Sequence, residues 1–145
     1  MEVFCEKYRT NCAPQGSSIV MQTDTLLADL NMVNKNVNAS IKSKPDRYES
    51  WDLYPQYGDC DDYVMSKRDT LIKMGYPVSA LRLFIVRPYS GAELHLVLVV
   101  VTDRSLLVLD NLSQDIKRLE ETGYGLVLYS TEDPMVWVRV PKGNS

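Results

Sequence analysis

Three residues of this sequence can together build a nucleophile: Cys60, His95 and Asp110. A thiolate attacks a carbonyl carbon, an imidazole takes and returns the proton, and a carboxylate fixes the imidazole tautomer and steadies its charged form. His95 is the sole histidine of the chain, so any Cys–His chemistry must run through it. Cys60 sits in the polar run Gly58-Asp59-Cys60-Asp61-Asp62-Tyr63, whereas a structural thiol is usually wrapped in apolar side chains. The pattern that follows predicts a helix beginning near Asp59 or Cys60 and ending near Met74. A helix N-terminus favours the thiolate and offers N–H groups to an oxyanion. Each residue also has a plainer role: His95 as a core histidine, Cys60 as a small residue in a cap, Asp110 as part of an Asp-Asn turn. Their order favours the chemistry, with Cys on a helix start followed by His and Asp on strands that a hairpin would place side by side.

The elements that must position these groups are legible from periodicity. Residues 1–22 read as irregular, with Pro14-Gln15-Gly16-Ser17-Ser18 as a loop signal. From Asp24, Leu26, Leu30, Val33, Val37 and Ile41 recur at helical spacing, with Asn31, Asn34, Lys35 and Asn38 mostly off that stripe. Residues 42–57 look like a loop. In the second helix Val64, Lys67, Leu71 and Met74 share a face, and Gly75 with Pro77 gives the stop. Short segments rich in β-formers follow: Ala80–Arg87, Glu93–Val101, Ser105–Asp110, Gly125–Tyr129 and Val136–Val140. Turns are expected at Tyr89-Ser90-Gly91 and Asp103-Arg104-Ser105, and a short helix over 112–122. The stretches Leu94–Val101 and Leu106–Leu109 should be the most buried. Helices first and strands later predict an α+β domain, one unit over residues 1–145, with N-terminal helices packed on an antiparallel sheet.

Composition narrows the partners. A net charge of -3 and a pI near 5.1 argue against a nucleic-acid binder. No apolar run reaches the roughly 18 residues of a membrane span. Met1 to Arg9 lack the basic and apolar regions of a signal peptide, which fits either a cytoplasmic protein or a mature form. Cys5 and Cys12 would close a small disulfide loop in an exported protein and stay reduced otherwise. Nothing in the composition addresses oligomeric state.

The stretch Tyr57-Gly58-Asp59-Cys60-Asp61-Asp62-Tyr63, with Lys67-Arg68, Leu71 and Gly75 after it, resembles the signature of the bacterial transglutaminase-like cysteine proteinases, the LapG-like periplasmic proteases. His95-Leu96-Val97-Leu98 and Leu109-Asp110-Asn111-Leu112 are similar too, and the resemblance runs from about residue 4 to 138. It implies a papain-like, transglutaminase-like fold and a thiol peptidase that cleaves a protein or peptide through an acyl-enzyme on Cys60. His95 would be base and acid, and Asp110 the orienting carboxylate. Trp51 or Gln56 would assist the oxyanion, and Asn111 would support the base. The resemblance also implies a bacterial periplasmic location and calcium beside the nucleophile, held by Asp59, Asp61 and Asp62. Without calcium, these carboxylates would disfavour the thiolate unless paired with Lys67 or Arg68 or used as helix caps. Two other activities fit the same residues: acyl transfer to an amine, and a non-catalytic or calcium-dependent protein-binding module.

Overall fold

The computed structural model describes residues 17–40 and 55–141, and the side chains of 55–61 lie outside that description. Helix α1 spans Asp24–Ser40 and buries Leu26, Leu30, Val33 and Val37, the stripe expected of it. Thr23 starts it, its hydroxyl accepting the Leu26 N–H at 3.1 Å. Helix α2 spans Pro55–Lys73. It therefore begins before the Asp59 or Cys60 start expected from the sequence, inside a stretch read as loop. The physical reason is Pro55: proline at a first helical position lacks only an N–H that would be unpaired there anyway, and its φ is preset for the helix. At the other end, Gly75 takes φ 103°. The Tyr76 N–H reaches the Leu71 carbonyl at 3.1 Å and the Gly75 N–H the Ile72 carbonyl at 3.0 Å, closing the last turn.

A 3₁₀ turn at Val78–Ala80 leads into the sheet, whose strands are β1 (Leu81–Arg87), β2 (His95–Val101), β3 (Leu106–Asp110), β4 (Ser113–Arg118), β5 (Gly125–Ser130) and β6 (Trp137–Arg139). The order across the sheet is β4-β3-β2-β1-β5-β6, every neighbouring pair antiparallel. This is the α+β arrangement predicted above, helices first and an antiparallel sheet after. Strands β2 and β3 are the most buried, as expected of their near-continuous apolar runs.

One element differs from expectation. Residues 112–122 are not a single helix: they form β4 and then a four-residue helix, α3 (Leu119–Thr122). Ser113, Gln114, Asp115 and Lys117 are poor strand formers. Pairing with β3 overrides their local preference, a tertiary decision of the kind propensity cannot register.

Helices α1 and α2 cover one face of the sheet, packing with Leu81, Leu83, Leu96, Leu98, Val100, Leu107 and Leu109. Phe84, Val86, Val97, Val99 and Val108 form the core of the other face. Asn34, expected off the apolar stripe of α1, is fully buried. Its amide donates to the Ser113 and Gln114 carbonyls at 3.0 and 3.1 Å, tying α1 to β4. One turn on, Asn38 donates to the Asp110 carbonyl at 3.1 Å. A buried amide is tolerable only when so partnered. These bonds fix the strand end on which Asp110 stands.

Candidate active site

The turn expected at Asp103-Arg104-Ser105 joins β2 to β3, closed by the Thr102 N–H on the Ser105 carbonyl at 2.9 Å. The resulting register sets Leu98 opposite Leu109 and Val99 opposite Val108. It brings the start of β2 and the end of β3 to one end of the sheet. There His95 Nε2 lies 2.7 Å from Asp110 Oδ1. Both residues are buried, at 6% and 4% exposure, so water does not compete for the bond.

Asp110 is held by three donors. Oδ1 also accepts the Leu112 N–H at 3.0 Å, and Oδ2 accepts the Tyr124 hydroxyl. Burial alone would raise the carboxyl pKa. The bond and positive charge of His95, with the Tyr124 and Leu112 donors, outweigh burial and hold the group below the usual carboxylate range. An ionised carboxylate only accepts, so His95 Nε2 carries the hydrogen in this bond. That assigns the basic lone pair of the neutral ring to Nδ1, the nitrogen suited to take a proton from a thiol.

Tyr124 was not among the residues expected from the sequence. Its ring stands edge-on to the His95 ring, centroids 6.1 Å apart and planes at 90°. Gly123, at φ 72°, turns the chain out of α3 so that Tyr124 falls beside Asp110. The sequence signal was slight: an aromatic residue with a polar handle between Gly123 and Gly125 at a strand start. Tyr124, Asp110, Val108, Ser113, Asp115, Lys117 and Thr122 line a cavity of about 110 Å³ behind the carboxylate.

His95 stands opposite Val86 in the β1–β2 register, on the face of Val97 and Val108 rather than the face α2 covers. Helix α2 links the two. Arg68 Nε donates to the Leu81 carbonyl at 3.1 Å, fixing the later part of α2 at the start of β1. Lys67, the residue before Arg68, feels the Asp110 charge, which brings this part of α2 near the end of the sheet where His95 and Asp110 stand. Position 60 shares a helix face with the buried Val64, Lys67 and Leu71.

Cys60 is the sixth residue of α2 rather than its first. The first four N–H groups of a helix are unpaired and the dipole effect fades within the first turn, so position 60 lies past both. Gln56 falls within that first turn. Its side chain lies outside the described residues, as do those of Asp59, Cys60 and Asp61, and Trp51, Cys5 and Cys12 lie outside them altogether. Asn111 occupies the turn after β3, its Oδ1 buried without a hydrogen-bond partner. Asp62 is exposed. Among the described residues no cluster of three or more His, Cys, Asp or Glu could hold a metal.

Lys67 and Arg68 both turn to the interior. Lys67 is fully buried, its Nζ has no hydrogen-bond partner, and it lies 5.8 Å from the Tyr63 ring centroid. Burial pulls its pKa down to about 8, and the Asp110 charge opposes that fall only in part. The folded pKa lies below the unfolded one, so the buried ammonium destabilises the fold below pH 8. Stability regained from this group rises between pH 8 and 10.5. The shift corresponds to roughly 3 kcal/mol at pH 7. Lys67→Met should therefore stabilise the protein by about 1–3 kcal/mol at pH 7 and flatten the rise above pH 8. Urea unfolding at pH 7 and 9.5 checks both.

No curated protein matches the chain. Among solved structures, Legionella pneumophila LapG is similar at 24% identity and TM-score 0.57, covering 72% of this chain and 63% of that one. Its EGTA-treated form is 25% identical with TM-score 0.56, covering 70% and 61%. Its calcium-bound form is 23% identical with TM-score 0.58, covering 72% and 64%. The chain thus spans less than two-thirds of the length of these structures. The family model described as bacterial transglutaminase-like cysteine proteinase matches residues 1–145. With a transglutaminase-like fold, a buried His–Asp pair and that match over its whole length, the chain belongs to the bacterial transglutaminase-like cysteine proteinase family.

Proposed function

We propose that this protein is a cysteine peptidase whose triad is Cys60, His95 and Asp110. The observation that carries the reading is the buried His95–Asp110 pair, whose carboxylate charge reaches Lys67 on the helix that bears Cys60. In this reading the Cys60 thiol pairs with His95 Nδ1. Nδ1 takes the thiol proton, and the thiolate attacks a peptide carbonyl. The imidazolium, steadied by Asp110, then gives its proton to the leaving amine. Water, deprotonated by the same nitrogen, hydrolyses the acyl-enzyme. Because Cys60 lies past the first turn of α2, its thiolate depends chiefly on the ion pair with His95. The oxyanion donor is then better sought at Gln56, in the first turn, than at the Cys60 N–H.

Calcium fits the chemistry of the acidic run, since carboxylates are its preferred ligands. Within α2, Asp59 and Asp62 are three residues apart and share a side of the helix, while Asp61 falls elsewhere. Asp59 and Asp62 would hold the ion. Bound there, it would offset the negative charge beside Cys60. That LapG is known in calcium-bound and EGTA-treated forms supports this part of the reading.

The test is digestion of a proteome-derived peptide library, without addition, with chelator, and with calcium or magnesium returned. Cleavage lost on chelation and restored by calcium but not magnesium is the expected result. Cleavage indifferent to chelation removes calcium and leaves the thiol mechanism. A library left intact under every condition sinks the peptidase reading.

A further inference from the structure

We propose that Tyr124 is a positioning residue of this site, its hydroxyl fixing which oxygen of Asp110 faces His95. The inference rests on the peptidase reading for its meaning, but not for its test. A carboxylate is free to rotate about its bond to Cβ, and each orientation would present His95 with a different acceptor. Here the rotation is locked from both ends. The Leu112 N–H holds Oδ1 beside His95 Nε2, and the Tyr124 hydroxyl donates to Oδ2. Only the second of these donors is a side chain, so it is the one that sequence change can tune.

Tyr124 constrains the ring as well as the carboxylate. Its edge-on contact, with planes at 90°, leaves the His95 ring little room to tilt out of line with Asp110. Its own placement is rigid. The Tyr124 N–H donates to Thr122 Oγ1 at 3.1 Å, and that hydroxyl donates to the Leu119 carbonyl at 2.7 Å, so the turn out of α3 is pinned. Burial, then the bond to Asp110 and its negative charge, push the phenol pKa well above its ordinary value. The hydroxyl thus remains a donor at any working pH.

Removing the hydroxyl has two consequences. Oδ2 is left facing the cavity of about 110 Å³ that it shares with Ser113, Asp115, Lys117 and Thr122. A water entering there would accept the same role loosely and hold no orientation. The carboxylate also loses a donor that draws off its negative charge, and so becomes the stronger base. A more basic partner binds the imidazolium more tightly, which raises the pH at which His95 gives up its proton.

The experiment uses Tyr124→Phe, which keeps the ring and deletes only the oxygen. Because the chain has a single histidine, one imidazole resonance reports the site directly. Titration by NMR, in the full chain carrying Cys60→Ala, needs no turnover. Tyr124→Phe should move the midpoint upward by about half a unit and broaden the ring resonance. In the active chain the same change should lower kcat about 10-fold, as loss of one charge-assisted bond would, shift the pH profile in the same direction, and leave KM nearly unchanged. A titration curve and pH profile superimposable on the parent, whatever happens to Tm, would make Tyr124 a packing residue and overturn the proposal. If no peptide is ever cleaved but the midpoint still moves, the peptidase reading fails while the positioning of the pair stands.

Discussion

Cys60→Ala should abolish peptide cleavage, by about 10⁶-fold if the sulfur is the nucleophile, and leave the fold intact. No other atom of the proposed site can form the acyl-enzyme, and residual binding of the transition state supplies only a remnant of the rate. The fold has little reason to suffer. Position 60 is interior to α2, where alanine has the higher helix propensity, by about half a kcal/mol. Loss of one small side chain can oppose that gain by at most about 1 kcal/mol. Cleavage assay and thermal melting, run side by side, check the two halves. Cleavage retained in a well-folded Cys60→Ala protein would remove the cysteine from the mechanism.

Substitution of Asp110 should separate orientation from charge. The Leu112 N–H at 3.0 Å from Oδ1 decides how asparagine must sit. An amide N–H₂ cannot face that donor, so Asp110→Asn keeps its oxygen toward Leu112 and His95 and turns its nitrogen to the Tyr124 oxygen. The imidazole tautomer survives and only the charge is lost. A neutral bond is weaker than a charged one by about 1–2 kcal/mol, which predicts a fall in kcat of roughly 10- to 100-fold. Asp110→Ala removes orientation as well, and turnover should fall by about 10⁴-fold. It also strips His95, the Leu112 N–H and the Tyr124 hydroxyl of their acceptor, each at about 1–3 kcal/mol, so its Tm should drop sharply. Equal turnover in the two variants would mean that charge, not orientation, is what Asp110 contributes.

Much of this site is local enough to be read in the chain. The β2–β3 hairpin follows from two apolar runs around Asp103-Arg104-Ser105, and it carries the start of β2 and the end of β3 to one end of the sheet, where the His95 and Asp110 side chains meet. The proposed base needs no structure to single out either, since there is one histidine. Helix α1 and its buried stripe are equally legible, because period alone fixes which face is apolar.

What lay beyond the sequence is what depends on contacts between distant segments. Residues 113–118 carry no strand signal and become β4 only because β3 offers an edge. Asn34 and Asn38 fall mostly off the apolar stripe, yet Asn34 is buried and both are bound because β4 and the end of β3 present carbonyls to them. The start of α2 moved to Pro55 and took Cys60 out of the first turn, changing what would stabilise the proposed thiolate. Tyr124 joins the site through a turn at Gly123 that no spacing rule marks. The sequence alone determined the hairpin that brings His95 to Asp110, because two apolar runs around a short turn pair with each other. The tertiary structure decided the surroundings of that pair, because a buried donor or acceptor takes its partner from whatever segment the fold brings within reach.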